Sequence, residues 1–377
     1  MYFLKGTPMI SARGYATHGP QSPLRAFAFE REEPRERDVQ IQVLFCGVCH
    51  SDIHQAKNEW SNTVYPCVPG HEVVGRVTKI GAGVTTHAVG DIVGVGCMID
   101  SCRHCKPRKL GLQNYCEGPN RWLATYNGPM VPAKLAPGGL NAYGRDNTYG
   151  GYSDVLVVRD DFLIRIPPAL KPEVAAPILC AGVTTYSPMK HWGVQAGQKV
   201  GIIGFGGLGD MAVKLALAMG AQVVVFTSTD AKLAQARKLG ADAVLESDAK
   251  ALDAHASSFD FMLSTVPQRH DLNPYLPLLK RDCTLVVVGV LEVMAPVNNQ
   301  QVAFHRRSIS GSLIGSIAET QEVIDFCARH GIGPDIEMLR IQDLNEAYAR
   351  IEQGEVRFRY VIDMASLAEE SVPTTLA

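Results

Sequence analysis

No apolar run in this chain approaches the ~18 residues that a membrane-spanning helix needs, so no transmembrane segment and no membrane partner are expected. Blocks of like charge are missing too: 36 Lys and Arg nearly balance 38 Asp and Glu, for a net charge of −2. That balance offers no electrostatic footing for nucleic acid or an anionic surface. Residues 1–10 have no charged segment leading into a long apolar one, which argues against a signal peptide and for the cytoplasm. Internal repeats and low-complexity tracts are also lacking. What is present is ordinary core material, 46% apolar and 20% charged residues. A length of 377 residues exceeds one ordinary core, so two domains are expected. Ten cysteines are spread through the chain; without a secretory signal, clustered cysteine points to metal or redox chemistry before a disulfide framework.

The two domains differ in texture. Val39-Gln40-Ile41-Gln42-Val43-Leu44 alternates, and Val73 to Gly96 continues with short strands separated by Gly81, Gly83 and Gly90. Many short strands with glycine turns suggest a small barrel-like β domain. Residues 97–150 hold Cys102, Cys105 and Cys116 and then a Pro/Gly/Asn-rich stretch that reads as a long surface loop, a kind usually functional. From about Lys171 strands and helices alternate. Lys199–Ile203 reads as a buried strand, and Leu208, Met211, Ala212, Leu215 and Met219 recur at helical spacing until Gly220. Val223–Phe226, Ala243–Leu245, Phe259–Leu263, Leu285–Val288 and Ser310–Gly315 read as further strands, with Asp230 as a helix cap. Continuous apolar strands alternating with helices mean a parallel sheet covered on both faces. From about Ser366 the chain reads as a frayed polar tail.

Gly204-Phe205-Gly206-Gly207-Leu208-Gly209 is a G-x-G-x-x-G. It lies between a buried strand and an amphipathic helix, the context the motif requires. The first glycine permits the tight turn, the second lets a pyrophosphate approach, and the third lets helix and strand pack. A nucleotide with a free ribose 2′-hydroxyl calls for Asp or Glu about 20 residues on. Here that place reads Thr227-Ser228-Thr229-Asp230, with Lys232 and Arg237 following; Asp230 is the one acid nearby and counts against a 2′-phosphate unless it caps the helix. Hydroxyls and a cation suit a 2′-phosphate, which a carboxylate would repel. NADP(H) is the expected cofactor.

Cys49-His50-Ser51-Asp52-Ile53-His54 and Gly70-His71-Glu72 set thiol, imidazole and carboxylate groups close together, ligand chemistry for a borderline-soft metal with acid and base groups to spare. Cys180 is a candidate third ligand beside Cys49 and His71, although a buried small hydrophobe explains it equally well. Two thiolates, one imidazole and an open position make a catalytic zinc. Ser51 and Asp52 also read as helix caps, His54 as a surface residue, and Trp60 as either a pocket wall or packing.

Taken together, Cys49-His50-Ser51-Asp52, Gly70-His71-Glu72-Val73-Val74-Gly75 continuing to Gly81 and Val84, Cys180 ahead of Gly204-x-Gly206-x-x-Gly209, and Gly311-Ser312-Leu313-Ile314-Gly315-Ser316 resemble the zinc-dependent medium-chain alcohol dehydrogenases. Within them the chain is most similar to the cinnamyl-alcohol-dehydrogenase branch and its bacterial aldehyde-reductase relatives, over about residues 13–363. The resemblance implies that Cys49, His71 and Cys180 bind the catalytic zinc, with Glu72 near enough to approach it. It implies that Asp52 accepts from His71, that Ser51 takes the substrate hydroxyl proton and His54 passes it towards solvent, and that His50 lies against the cofactor. Gly204, Gly206, Gly207, Leu208, Gly209, Thr227, Ser228, Thr229, Lys232, Ser312 and Ile314 would bind the dinucleotide.

The family often carries a second, structural zinc on four cysteines at C-x2-C-x2-C-x7-C. Cys102, Cys105 and Cys116 fit, but Arg108 holds the third place, and a guanidinium cannot ligate zinc. Cys97 and His104 are off the expected spacing. Structural sites are nearly always four-coordinate, so the sequence predicts loss of this metal and a lobe held by packing alone. The expected whole is an α/β chain: a GroES-like β-barrel catalytic domain from 1–168 and 308–377 around a Rossmann domain from 169–307. Its expected activity is reversible hydride transfer between NADP(H) and an aldehyde or primary alcohol, by a cytoplasmic homodimer. A polyol or secondary-alcohol dehydrogenase and a non-catalytic nucleotide-binding protein are the rival readings.

Overall fold

The computed structural model describes residues 8–118, 125–127, 148–289, 293–354 and 359–370. Most of the predicted loop at 117–150 therefore lies outside the described residues, as does the end of the C-terminal tail. Among the described residues no helix is long and apolar enough to cross a membrane. The chain divides into two compact units. One comprises the described residues of Met1–Cys180, Ser316–Ala328 and Asp335–Ala377; the other is Ala181–Gly315 with Arg329–Pro334. These limits fall beyond the expected breaks at 168 and 308, because Ser308–Gly311 is a strand of the parallel sheet of the second unit.

In the first unit, Met9–Ala16 and Arg25–Glu32 pair antiparallel. The main sheet runs Ile336–Arg340, Arg359–Asp363, Asp38–Gly47, Val73–Ile80, Ile92–Val95, Ile164–Arg165, with Val155–Arg159 also on Asp38–Gly47. Val39, Ile41 and Val43 are buried while Gln42 is exposed, the period of two that gives a strand one wet and one dry face.

The second unit holds a six-stranded parallel sheet in the order Asp242–Leu245, Gln222–Thr227, Lys199–Ile203, Phe259–Ser264, Leu279–Val287, Ser308–Gly311. Chain order 3-2-1-4-5-6 is the doubly wound nucleotide-binding arrangement. Its strands are apolar without alternation because helices cover both faces; Phe226, Phe259, Met262, Leu276 and Leu285 are fully buried in one cluster.

Three local readings need correction. Thr229, not Asp230, caps the helix Asp230–Lys238, its hydroxyl accepting from the Lys232 N–H at 3.4 Å. The strand expected over Ser310–Gly315 ends at Gly311. The tail expected from Ser366 instead begins as a 3-10 turn, Met364–Glu369, with Ser366 and Leu367 buried.

Candidate active site

Strand pairing builds the cluster of candidate metal ligands. Cys46 stands opposite Val73, so the end of one strand and the start of its neighbour bring Gly47 against Glu72, whose carbonyl accepts from the Gly47 N–H at 2.9 Å. Cys49 then caps the helix His50–Ala56, while His71 and Glu72 lead into Val73–Ile80. Cys180 arrives on a π-helical turn, Ile178–Gly182, a widened turn often found at functional sites. Gly94 and Gly96 let that turn in: a Cβ at either would stand 2.8–2.9 Å from Leu179 atoms. The ligand atoms of Cys49, His71, Glu72 and Cys180 all lie within 4.8 Å of one another, and all four residues are buried.

Asp52 orients this cluster. It is fully buried, and each oxygen accepts twice. One takes His71 Nδ1 at 2.9 Å and the Gly70 N–H at 3.0 Å; the other takes the Cys49 N–H at 3.0 Å and the Tyr152 hydroxyl at 3.2 Å. Asp52 therefore makes both the helix-cap contact and the hydrogen bond with His71. With Nδ1 committed to a carboxylate, His71 turns Nε2 towards Cys180 Sγ, 3.3 Å away, the tautomer that metal-binding histidines use. Gly70 has φ +103° and touches the Tyr152 backbone, which only glycine tolerates there.

Charge is shared across the cluster. A hydrogen bond from Cys180, reinforced by His71, holds the Cys49 thiol well below its usual range. Cys180 is pushed up by its hydrogen bonds with Cys49 and Cys97 and by burial. Burial raises Glu72 to about 7 against the pull of Arg359. Arg359 donates to Glu72 Oε1, leaving Oε2 buried with no protein partner. A Cβ at Gly47 would stand 2.0 Å from Oε2, so the glycine keeps this space open. Two thiols, an imidazole and an unsatisfied carboxylate oxygen fit zinc and not a hard cation.

Three nearby groups escaped the sequence reading. Arg359 reaches Glu72 because Val361 pairs with Gly47, a contact across 287 positions. Cys97, considered only for the second metal, lies instead beside Cys180. Tyr126 packs its ring 5.4 Å from that of His71. Glu59, which the sequence reading also passed over, accepts from His54 Nδ1. Ser51 and His54 are half-buried and His50 is exposed on the same short helix. Trp60 lies 5.6 Å from the His54 ring.

In the second unit the glycine motif has the predicted form. Gly204 has φ +87°, Gly206 has nothing within 4 Å of where a Cβ would be, and Gly209 packs 2.3 Å from the Gly204 carbonyl oxygen by the same measure. The helix Gly207–Ala218 follows, so backbone N–H groups face an open approach. Thr227 Oγ1 is buried with no partner, while Ser228 and Thr229 are exposed and Lys232 half-buried. Arg237 is turned aside to the Ala243 carbonyl at 3.2 Å. Ser312 is half-buried, and Ile314 holds φ +41°, a costly conformation for a β-branched residue that tends to mark functional sites.

Cys102, Cys105 and Cys116 form a second cluster within 4.8 Å. Neither suggested substitute completes it: Cys97 belongs beside Cys180, and His104 Nδ1 faces the Cys102 carbonyl. Arg108 donates to Ser101 Oγ at 3.0 Å and faces Asp161 at 3.6 Å.

Comparison with known proteins matches residues 35–168 to the alcohol dehydrogenase GroES-like domain and 207–329 to the zinc-binding dehydrogenase family. Aldehyde reductase YahK of Escherichia coli K12 is 47% identical over 365 residues, 96% of this chain and all of that protein. The structure of SbCAD4, a cinnamyl alcohol dehydrogenase of Sorghum bicolor, superposes with TM-score 0.88 at 40% identity, covering 97% of this chain and 100% of that one. CAD from Helicobacter pylori, complexed with NADP(H), gives TM-score 0.85 at 38% identity over 95% and 99% of the two chains.

Proposed function

The chain belongs to the zinc-dependent medium-chain alcohol dehydrogenases, in the branch of the cinnamyl alcohol dehydrogenases and bacterial aldehyde reductases, and from that premise we propose how its residues divide the work. The protein is an NADP(H)-dependent zinc alcohol dehydrogenase and aldehyde reductase, catalysing reversible hydride transfer between the nicotinamide and an aldehyde or alcohol. The observation that carries the reading is the buried cluster Cys49, His71, Glu72 and Cys180 around an imidazole oriented by Asp52.

Cys49, His71 and Cys180 hold the zinc, which when bound polarises the carbonyl and lowers the pKa of the alcohol. Asp52 keeps His71 Nε2 free for the metal, and its two further backbone donors hold the cysteine and histidine segments in register. Arg359 pairs with one oxygen of Glu72, and the other would be available to a bound metal. Ser51 exchanges the substrate proton, and His54 passes it outward; the contact with Glu59 fixes the His54 ring and extends this route to an exposed carboxylate. Gly204, Gly206, Gly207, Leu208 and Gly209 receive the pyrophosphate, with His50, Ser312 and Ile314 as further cofactor contacts. Thr227, Ser228, Thr229 and Lys232 accept the 2′-phosphate, a role supported by the unpartnered Thr227 hydroxyl and by hydroxyls at the strand end, with Asp230 set back as the first residue of the following helix.

The substrates are primary alcohols and aldehydes, aromatic, allylic or aliphatic, and the enzyme works as a cytoplasmic homodimer. The test is a panel of aldehydes against polyols and secondary alcohols, run with NADPH and NADH. Aldehyde reduction with NADPH is expected to dominate. Preference for polyols, or for NADH, would overturn the corresponding part of the proposal, and turnover indifferent to chelation would overturn the zinc mechanism.

A further inference from the structure

The second cysteine cluster departs from a closed metal site in a specific way. Cys105 and Cys116 sulfurs stand 3.9 Å apart, close to the edge of about 3.8 Å that a tetrahedron with zinc–sulfur bonds of ~2.3 Å requires. Two backbone N–H groups, of Cys102 at 3.2 Å and Gly118 at 3.4 Å, point at Cys116 Sγ and fix the sulfur in place. Gly118 is packed against the sulfurs: a Cβ there would stand 2.4 Å from the Cys102 Cβ and 3.3 Å from the sulfurs of Cys102 and Cys116. Three corners of a tetrahedron are therefore built, and no fourth His, Cys, Asp or Glu among the described residues joins them.

Arg108 explains why. Its guanidinium is drawn to Ser101 and to Asp161. Asp161 also receives Arg159 at 3.1 Å and faces Arg103 at 4.0 Å, while Arg103 pairs with Asp100. Three arginines converge on one carboxylate at the base of the lobe, so packing is not the only tether.

We propose that Cys102, Cys105 and Cys116 form an open three-thiolate site for a soft divalent cation, zinc or cadmium, whose fourth ligand comes from solution, while the arginines on Asp161 hold the lobe whether or not the cation is there. Thiolates select such ions. Three protein ligands with an open position make an exchangeable site, in contrast to the closed four-ligand sites that lock zinc in place. The proposal is independent of the reaction assigned above, since none of these residues takes part in it.

Zinc counting after reconstitution tests it. The native chain is expected to take two zincs and to keep one after a mild chelator; Cys116→Ser takes one and keeps one; Arg108→Cys takes two and keeps two. Two chelator-resistant zincs in the native chain, or a native chain that never exceeds one zinc in excess cation, would each overturn the site. Cobalt(II) added to the one-zinc protein provides an arm that needs no variant. Its thiolate charge-transfer bands are expected to shift when 2-mercaptoethanol is added, and unshifted bands would mean that the site is closed. For the tether, Asp161→Asn in the one-zinc form is expected to speed amide exchange across residues 97–118 by roughly fivefold; unchanged exchange would overturn that part.

Discussion

Two cysteine clusters lie in the same unit, each with its ligand atoms inside 4.8 Å, yet their surroundings differ. The cluster of Cys49, His71, Glu72 and Cys180 is buried throughout, and its imidazole is fixed by a carboxylate that accepts four hydrogen bonds. The cluster of Cys102, Cys105 and Cys116 has a half-exposed member and, among the described residues, no side chain in the role of Asp52. Proximity of sulfur atoms is common to both. What separates them is the supporting layer, which at the first site holds Cys49, His71 and Glu72 in place and at the second is spent on Asp161.

The largest expected effect sets the two apart directly. Cys49→Ser should lower kcat for aldehyde reduction by at least ~10³-fold, because the polarising metal contributes several kcal/mol, whereas Cys116→Ser should leave steady-state kcat within about twofold. Equal losses in the two variants would erase the distinction.

Next is the layer behind the ligands. Asp52→Asn is expected to weaken zinc binding by ~10–100-fold, the usual effect of disturbing a partner of a metal-bound histidine; competition with a fluorescent chelator measures it. An unchanged zinc affinity would mean that orientation of His71 does not matter.

A change outside both clusters serves as a control. Lys232→Ala should cut kcat/KM for NADPH by ~10-fold, the worth of one hydrogen bond to a charged group, and leave kcat/KM for NADH nearly unchanged. A similar fall with both cofactors would remove Lys232 from 2′-phosphate recognition. The smallest effect is expected from Asp161→Asn, which removes a partly exposed ionic network worth about 1 kcal/mol and should lower Tm by ~1–2 °C. Calorimetry that shows no shift would leave the lobe to packing.

Much of the site was legible in the sequence because its parts are local motifs. Cys49 through His54 form one short helix and its cap, and the glycines from Gly204 to Gly209 join one strand to one helix. Asp52 was legible as a cap, since a residue three positions after a cap can turn back to it, whereas its contact with His71 was implied only by the family resemblance. The Asp230 cap was misread because Thr229 and Asp230 are both good caps, and only the helix start at Asp230 chooses between them. The end at Gly311 of the strand expected to reach Gly315 was hidden for a similar reason: small and apolar residues continue past the point where pairing with Leu279–Val287 stops.

The sequence by itself determined the candidate ligand types, the nucleotide turn, the hydroxyls that follow the second Rossmann strand, and the arginine at 108 where a fourth thiol would stand. Each is a matter of which groups stand at short spacing. Tertiary structure decided which distant groups complete them. Cys180 could be a ligand or a plain hydrophobe until the π-helical turn brought it to His71. Arg359 had no visible link to Glu72 until sheet pairing supplied one. Cys97 and Arg108 were both assigned to the second metal's neighbourhood, and the fold sent one to Cys180 and the other to Asp161. A buried carboxylate or thiol must find its partner wherever the chain brings one, because solvent cannot serve it there, and that choice depends on contacts no short spacing encodes.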